Sequence, residues 1–126
     1  MNSFEELEIW KSSRLLKKRI WKLSKRFPKE ELYKLTDQII RASRSVTANI
    51  AEGYGRFHFQ ENIQYCRQAR GSLFEVIDHL ITAFDCEYIN EEELNDFRNE
   101  TLNCIKIVNG YIAYLKRAKD GNHNTQ

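Results

Sequence analysis

The chain predicts an all-α protein, an antiparallel up-down-up-down four-helix bundle. Three observations point there: a single proline and five glycines in 126 residues, four segments whose apolar residues recur at steps of three and four, and breaks too short to let neighbouring helices run parallel. So few turn residues argue against a sandwich or barrel of many short strands. A hydrophobic share of 41% with 12% aromatic residues suffices for one core, so one domain over residues 1–118 is expected, followed by a polar, disordered tail at 119–126.

The first helix is expected over about residues 4–26, where Ile9, Leu16, Ile20, Leu23 and Phe27 fall on one face. Ser3 with Glu6 three residues on reads as a capping box. Phe27-Pro28 ends this helix, because the residue before a proline is pushed out of the helical region, and Pro28 suits the first turn of the next. The second helix, about 29–54, buries Leu32, Leu35, Ile39, Ala42, Val46, Ile50 and Gly53, and ends at Gly53 and Gly55, which readily take the positive φ of a C-cap. The third, about 59–86, carries Phe59, Ile63, Cys66, Leu73, Ile77, Leu80 and Phe84. The fourth, about 91–118, carries Leu94, Phe97, Thr101, Cys104, Ile105, Val108, Tyr111, Ile112 and Leu115, with Asn90 placed as N-cap and three glutamates at the positive end of its dipole. Helices of about 25 residues are about 38 Å long.

Several chemistries find no support. Cys66, Cys86 and Cys104 are odd in number, widely spaced and set in apolar helical patterns, which suits buried thiols in a reducing compartment better than disulfides or zinc. His58, His79 and His123 form no metal-binding pattern; His79 reads as a solvated residue on the polar face of the third helix. Gly53-Tyr54-Gly55 follows a helix and lacks the Lys-Ser/Thr of a phosphate loop. No cysteine or serine has a base placed beside it. The expectation is a non-enzymatic protein without metal or cofactor. The opening MNSFEELEIW is acidic where a signal peptide is basic, and no window approaches about 18 apolar residues, so a cytoplasmic location without membrane contact is expected.

Three surface features remain. Trp10, Trp21, Tyr33, Ile40, Ile107 and Tyr114 lie off the main stripes, which suggests burial against another subunit or a wide core face. Trp10, Trp21, Ile107 and Tyr114 are the candidate oligomer-interface residues. On the second helix Gln38, Arg41, Ser45, Asn49, Glu52 and Arg56 form one polar seam beside the apolar face, to be satisfied by internal hydrogen bonds, a neighbouring subunit or a ligand. On the first helix Lys11, Arg14, Lys18, Lys22 and Lys25 form a basic ridge opposite the apolar stripe.

The stretch LTDQIIRA followed by SRSVTANIAEG, from Leu35 to Gly53, resembles the signature of the four-helix-bundle proteins encoded in intervening sequences of bacterial 23S rRNA genes. The family reads approximately LTxQIRRAxxSIxxNIAEG there. Ala69-Arg70-Gly71-Ser72-Leu73-Phe74-Glu75 is similar to its AxGSLxE, and Phe4-Glu5-Glu6-Leu7-Glu8-Ile9-Trp10-Lys11 to its FxxLxVWK opening. Ile40 departs from the pattern, where many members carry a basic residue. The resemblance implies a compact bundle assembled as a homopentamer, without established catalysis and linked to RNA or ribosome biology. A related bundle, the accessory protein of diversity-generating retroelements, binds nucleic acid.

The net charge of +2 conceals a division. Residues 1–56 carry 13 Lys and Arg against 7 Asp and Glu, residues 57–100 carry 3 against 10, and residues 101–126 carry 4 against 1. Two functions compete to explain it. In one, the basic ridge meets the phosphates of RNA or DNA without reading sequence. In the other, the protein is an adaptor whose basic helices dock on the acidic third helix of the next subunit and close a ring. A charged helix face that is merely solvated is the plain alternative.

Overall fold

The computed structural model describes residues 3–124. It contains four helices, α1 (Glu8–Ser24), α2 (Leu35–Gly55), α3 (Phe59–Asp85) and α4 (Glu91–Asn124), with short 3-10 turns at Phe4–Glu6 and Lys29–Glu31 and no strand among the described residues. Each helix packs on two neighbours in the cycle α1, α2, α3, α4, with no close backbone approach across either diagonal among the described residues.

Side-chain pairs give the direction of every neighbour. Lys17 reaches Thr47 while Trp21 lies by Arg44. Ser45 pairs with Ser72 and Arg56 with Tyr65. Arg70 pairs with Asn109 and Gln60 with Lys119. Arg19 meets Glu100 while Arg26 meets Glu93. In each case numbers rise on one helix as they fall on the other, so all four contacts are antiparallel. The core is the sum of the four stripes: Ile9, Ile20, Ile39, Ile50, Leu73 and Val108 are among the side chains almost wholly withdrawn from solvent.

The helix starts and stops depart from expectation in instructive ways. Ser3 does cap, accepting the Glu5 amide at 3.1 Å, but what it caps is a 3-10 turn. Extended backbone at Leu7 then separates this turn from α1, which begins at Glu8 rather than about residue 4. Phe27-Pro28 breaks the chain, yet Pro28 leads into the second 3-10 turn and α2 begins only at Leu35. Leu32, expected inside, directly follows that turn and is 53% exposed. α4 runs on to Asn124, so it overlaps the expected tail; residues 125 and 126 lie outside the described residues.

The end of α2 is the largest correction. No described glycine takes a positive φ; the left-handed position after the helix falls to Phe57, at φ 54°. Gly53 is instead buried within the helix, where its backbone meets α3. A Cβ there would stand 2.8 Å from both Asn62 Oδ1 and Tyr65 Cβ, so the missing side chain is what lets the two helices approach.

α4 starts as expected and more tightly. The Asn90 side chain accepts the Glu93 amide at 2.8 Å and the Glu93 carboxylate accepts the Asn90 amide at 3.0 Å, a reciprocal capping box. Arg26 of the α1–α2 connection lies 2.5 Å from the same carboxylate. At this end Tyr88 packs on Phe27 and donates its hydroxyl to Glu31, joining the two inter-helix connections.

Two outcomes follow. Gly53→Ala is expected to destabilise by about 1–3 kcal/mol, since neither backbone nor Tyr65 Cβ can swing aside; urea unfolding measures it. Glu93→Ala is expected to cost about 1 kcal/mol at neutral pH through the lost cap. The Arg26 guanidinium and the Asn90 amide hold the Glu93 carboxyl below its ordinary range. That stabilisation is complete above the unfolded value of about 4.3 and disappears as pH falls through the lowered folded-state value, so the two proteins' unfolding curves should converge in acid.

Candidate nucleic-acid interface

All five members of the basic ridge are exposed, Lys11, Arg14, Lys18 and Lys22 on α1 and Lys25 at its C-cap. Arg14 lies over the Trp10 ring at 5.5 Å and Lys25 over the Trp21 ring at 4.7 Å. The ridge borders a cleft of about 610 Å³ between α1 and α2, lined by Lys17, Lys18, Trp21, Lys22, Ile40 and Arg44 among others. Lys17 and Arg44 are the residues that reading one helix at a time does not reveal. They come from different helices and meet only through the antiparallel register.

Lys17 is half-buried and donates to Thr47 Oγ1 at 3.2 Å. Desolvation, then Arg14, Arg44 and Lys18, hold its pKa below the usual lysine value. Among the described residues, none of Lys17, Lys18, Lys22 and Arg44 forms an ion pair. Arg14 is likewise without an ion pair, whereas four other arginines of this half are paired. Arg19 lies over the Phe97 ring and binds both Asp96 and Glu100, Arg26 binds Glu93, Arg41 binds Asp37 and Arg56 binds Glu52. The cleft therefore concentrates uncompensated positive charge beside a half-open indole, Trp21 being 44% exposed.

The polar seam of α2 divides. Ser45 and Asn49 are half-buried and internally satisfied: Ser45 Oγ pairs with Ser72 Oγ at 2.7 Å, and the Asn49 amide donates to the Ser45 carbonyl and hydroxyl. Gln38, Arg41, Glu52 and Arg56 are exposed, with Arg56 also donating to Tyr65. Of the other off-stripe residues, Trp10 packs edge-on against Phe4, Ile107 rests half-buried on the core, and Tyr114 is 55% exposed and stacked on Tyr111. Tyr114, Tyr54 and Phe57 line a separate, mainly apolar cavity of about 560 Å³ at the α2–α3 turn. His79, expected in solvent, is half-buried and contacts Glu75 at 3.1 Å. Cys66 and Cys104 are buried, their thiols pushed up to about 12 and about 11 by desolvation, whereas Cys86 is exposed, contrary to expectation. No group of three or more metal-ligating side chains converges among the described residues, and none of the described helices is long and apolar enough to cross a membrane. The His123 side chain lies outside the described residues.

The fold and this face together define a small four-helix-bundle protein with a lysine-rich cleft between its first two helices. Residues 5–110 match the family model described as 23S rRNA-intervening sequence protein, and the chain belongs to that family. It is also similar in fold to a crystal structure of a protein with unknown function from the S23 ribosomal protein family of Bacteroides thetaiotaomicron. The TM-score is 0.76 at 23% identity, over 82% of this chain and 97% of that one. No curated protein matches the sequence. Ile40, where the chain departs from the family signature, lies half-buried in the cleft wall.

The electrostatics of the cleft carry an expected signature. Crowded cations destabilise the free protein, so Lys17→Gln should leave stability unchanged or raise it by up to about 0.5 kcal/mol while weakening polyanion binding. The sign follows from the lowered pKa. The penalty is full below the folded-state value and vanishes above the ordinary value of about 10.4, so the gain should fade at high pH. Thermal melts at pH 7 and pH 10.5 measure it.

Proposed function

We propose that the protein binds nucleic acid, RNA in the first instance, without catalysing a reaction, and that it works as a homo-oligomer in the cytoplasm. The observation that carries this reading is the set of cations on α1 and α2 left without carboxylate partners, while nearby arginines are neutralised within the chain. Unpaired surface lysines attract phosphates through counterion release and contact backbone rather than base edges, so binding is expected to be driven by charge and shape. Repetition of the face around an oligomer multiplies weak contacts into a useful affinity. The ridge Lys11, Arg14, Lys18, Lys22 and Lys25 supplies the contacts of each subunit.

A second reading, a protein adaptor built by subunit docking, is favoured by one surface. Phe74 is 53% exposed and Ile81 37% exposed on α3, seven residues apart and interleaved with exposed Asp78 and Asp85. An acidic face with apolar knobs suits the basic face of another copy, and head-to-tail repetition closes a ring such as the homopentamer that the family resemblance implies.

A salt titration of RNA binding, run beside a measurement of oligomer mass, separates the two. Phosphate binding requires affinity to fall steeply and linearly with log salt while the mass stays constant. The double variant Lys18→Glu/Lys22→Glu is expected to lose at least about tenfold in affinity at low salt with an unchanged melting curve. Unaltered binding by this variant removes the ridge from the account, and an oligomer that dissociates with salt while no RNA binds transfers the charge division to assembly.

A further inference from the structure

Trp21 stands between two clefts rather than at the edge of one. On one side is the cationic cleft of about 610 Å³ with Lys17, Lys18, Lys22 and Arg44. On the other is a smaller cleft of about 270 Å³ whose lining includes Lys25, Pro28, Lys29, Leu32 and Thr36. Trp21 and Ile40 line both, so together they form an apolar partition within a groove whose two arms each carry cations. The partition is nearly half open to solvent at the indole. Two long, exposed side chains lie over the ring, Lys25 at 4.7 Å and Arg44 at 5.6 Å, each able to turn from the ring to an anion.

From this arrangement we infer that the groove takes an unpaired stretch of RNA, with one base stacked on Trp21 and the flanking phosphates held by Lys17, Lys18, Lys22 and Arg44 on one side and by Lys25 and Lys29 on the other. The inference rests on the nucleic-acid reading above and sharpens it from charge to strand state. A bare phosphate site needs no aromatic partition, and a duplex keeps its bases inside the stack, where an indole held between two clefts cannot reach a π-face. A single strand alternates anionic backbone with flat apolar bases, the same alternation the groove presents. Both cations displaced from the ring are re-used on phosphates, so opening the face leaves no charge without a partner. The half-buried Lys17, crowded by other cations, gains most from an anion, because a phosphate restores the favourable environment that burial removed.

The test uses the full chain carrying Trp10→Phe, which leaves Trp21 as the sole tryptophan, with a 12-nucleotide oligouridylate and a 12-base-pair RNA duplex as probes. Expected are a saturable change in Trp21 emission with the single strand, preference for the single strand over the duplex, and a loss of roughly tenfold in single-strand affinity on Trp21→Ala with the salt slope retained. Trp21→Phe, which keeps a stacking ring and most of the packing, should lose less; it guards against a fold defect in the alanine variant, which a melting curve also reports. Equal affinity for both probes with unchanged emission, or a folded Trp21→Ala that binds like its parent, overturns the stacking inference while leaving charge-driven binding intact. Absence of binding to either probe at low salt overturns the nucleic-acid reading itself, and the inference with it.

Discussion

The bundle depends on one close approach. At Gly53 the α2 backbone comes near enough to α3 that even a methyl group would collide with Asn62 and with the Tyr65 Cβ. The chain then turns through Phe57 in a left-handed conformation and starts α3 two residues later. With the hairpin set at this distance, Ser45 and Ser72 fall within hydrogen-bonding reach and Asn49 closes on Ser45, so a seam of small polar groups takes the place of large side chains along the contact. α1 packs on α2, and α4 on α3, so each flanks a pair whose spacing is set by this contact.

Among the described residues, the ion pairs across the α1–α4 contact all come from arginine. Arg19 and Arg26 bridge the first and last helices with planar, multivalent contacts to Asp96, Glu100 and Glu93, and Arg19 also covers the Phe97 ring. Lysines of the same helix are left without carboxylates. The division suits the two side chains: guanidinium is weakly hydrated and matches carboxylates in a fixed fork, whereas an ammonium on a flexible stem remains a hydrated, movable charge. In this half of the chain Arg19 and Arg26 bind carboxylates of α4, while the lysines of α1, together with Arg14 and Arg44, are without a carboxylate partner among the described residues.

Periodicity made most of the core legible, because each stripe needs only its own helix: Ile9 through Leu23, Leu35 through Ile50 and, apart from Tyr111, Leu94 through Leu115 are buried as their spacing requires, whereas Tyr111 and, on α3, Phe59, Ile77 and Phe84 are only half-buried against the core. Asn90 was legible for the same local reason. What escaped depends on a partner. Gly53 looks like a helix terminator until α3 is set beside it, and the left-handed residue proves to be Phe57. Leu32 satisfied the stripe of an α2 that begins six residues too early. Lys17 and Arg44 are 27 positions apart and share a cleft only because α1 and α2 are antiparallel. The ridge on α1 was visible; the indole partition beside it was not, since Trp21, lying off the apolar stripe of α1, read as a candidate interface residue and its neighbours Ile40 and Arg44 come from α2.

Cys66 and Cys104 lie on the buried faces of α3 and α4, where desolvation pushes their thiols up to about 12 and about 11. At neutral pH these thiols stay protonated, and it is the thiolate that reacts with alkylating agents or oxidants. Their modification therefore waits on separation of the helices, while exposed Cys86 reacts from the closed state. The protein carries its own clock for breathing: the lag between Cys86 and the two interior thiols records how often the bundle opens.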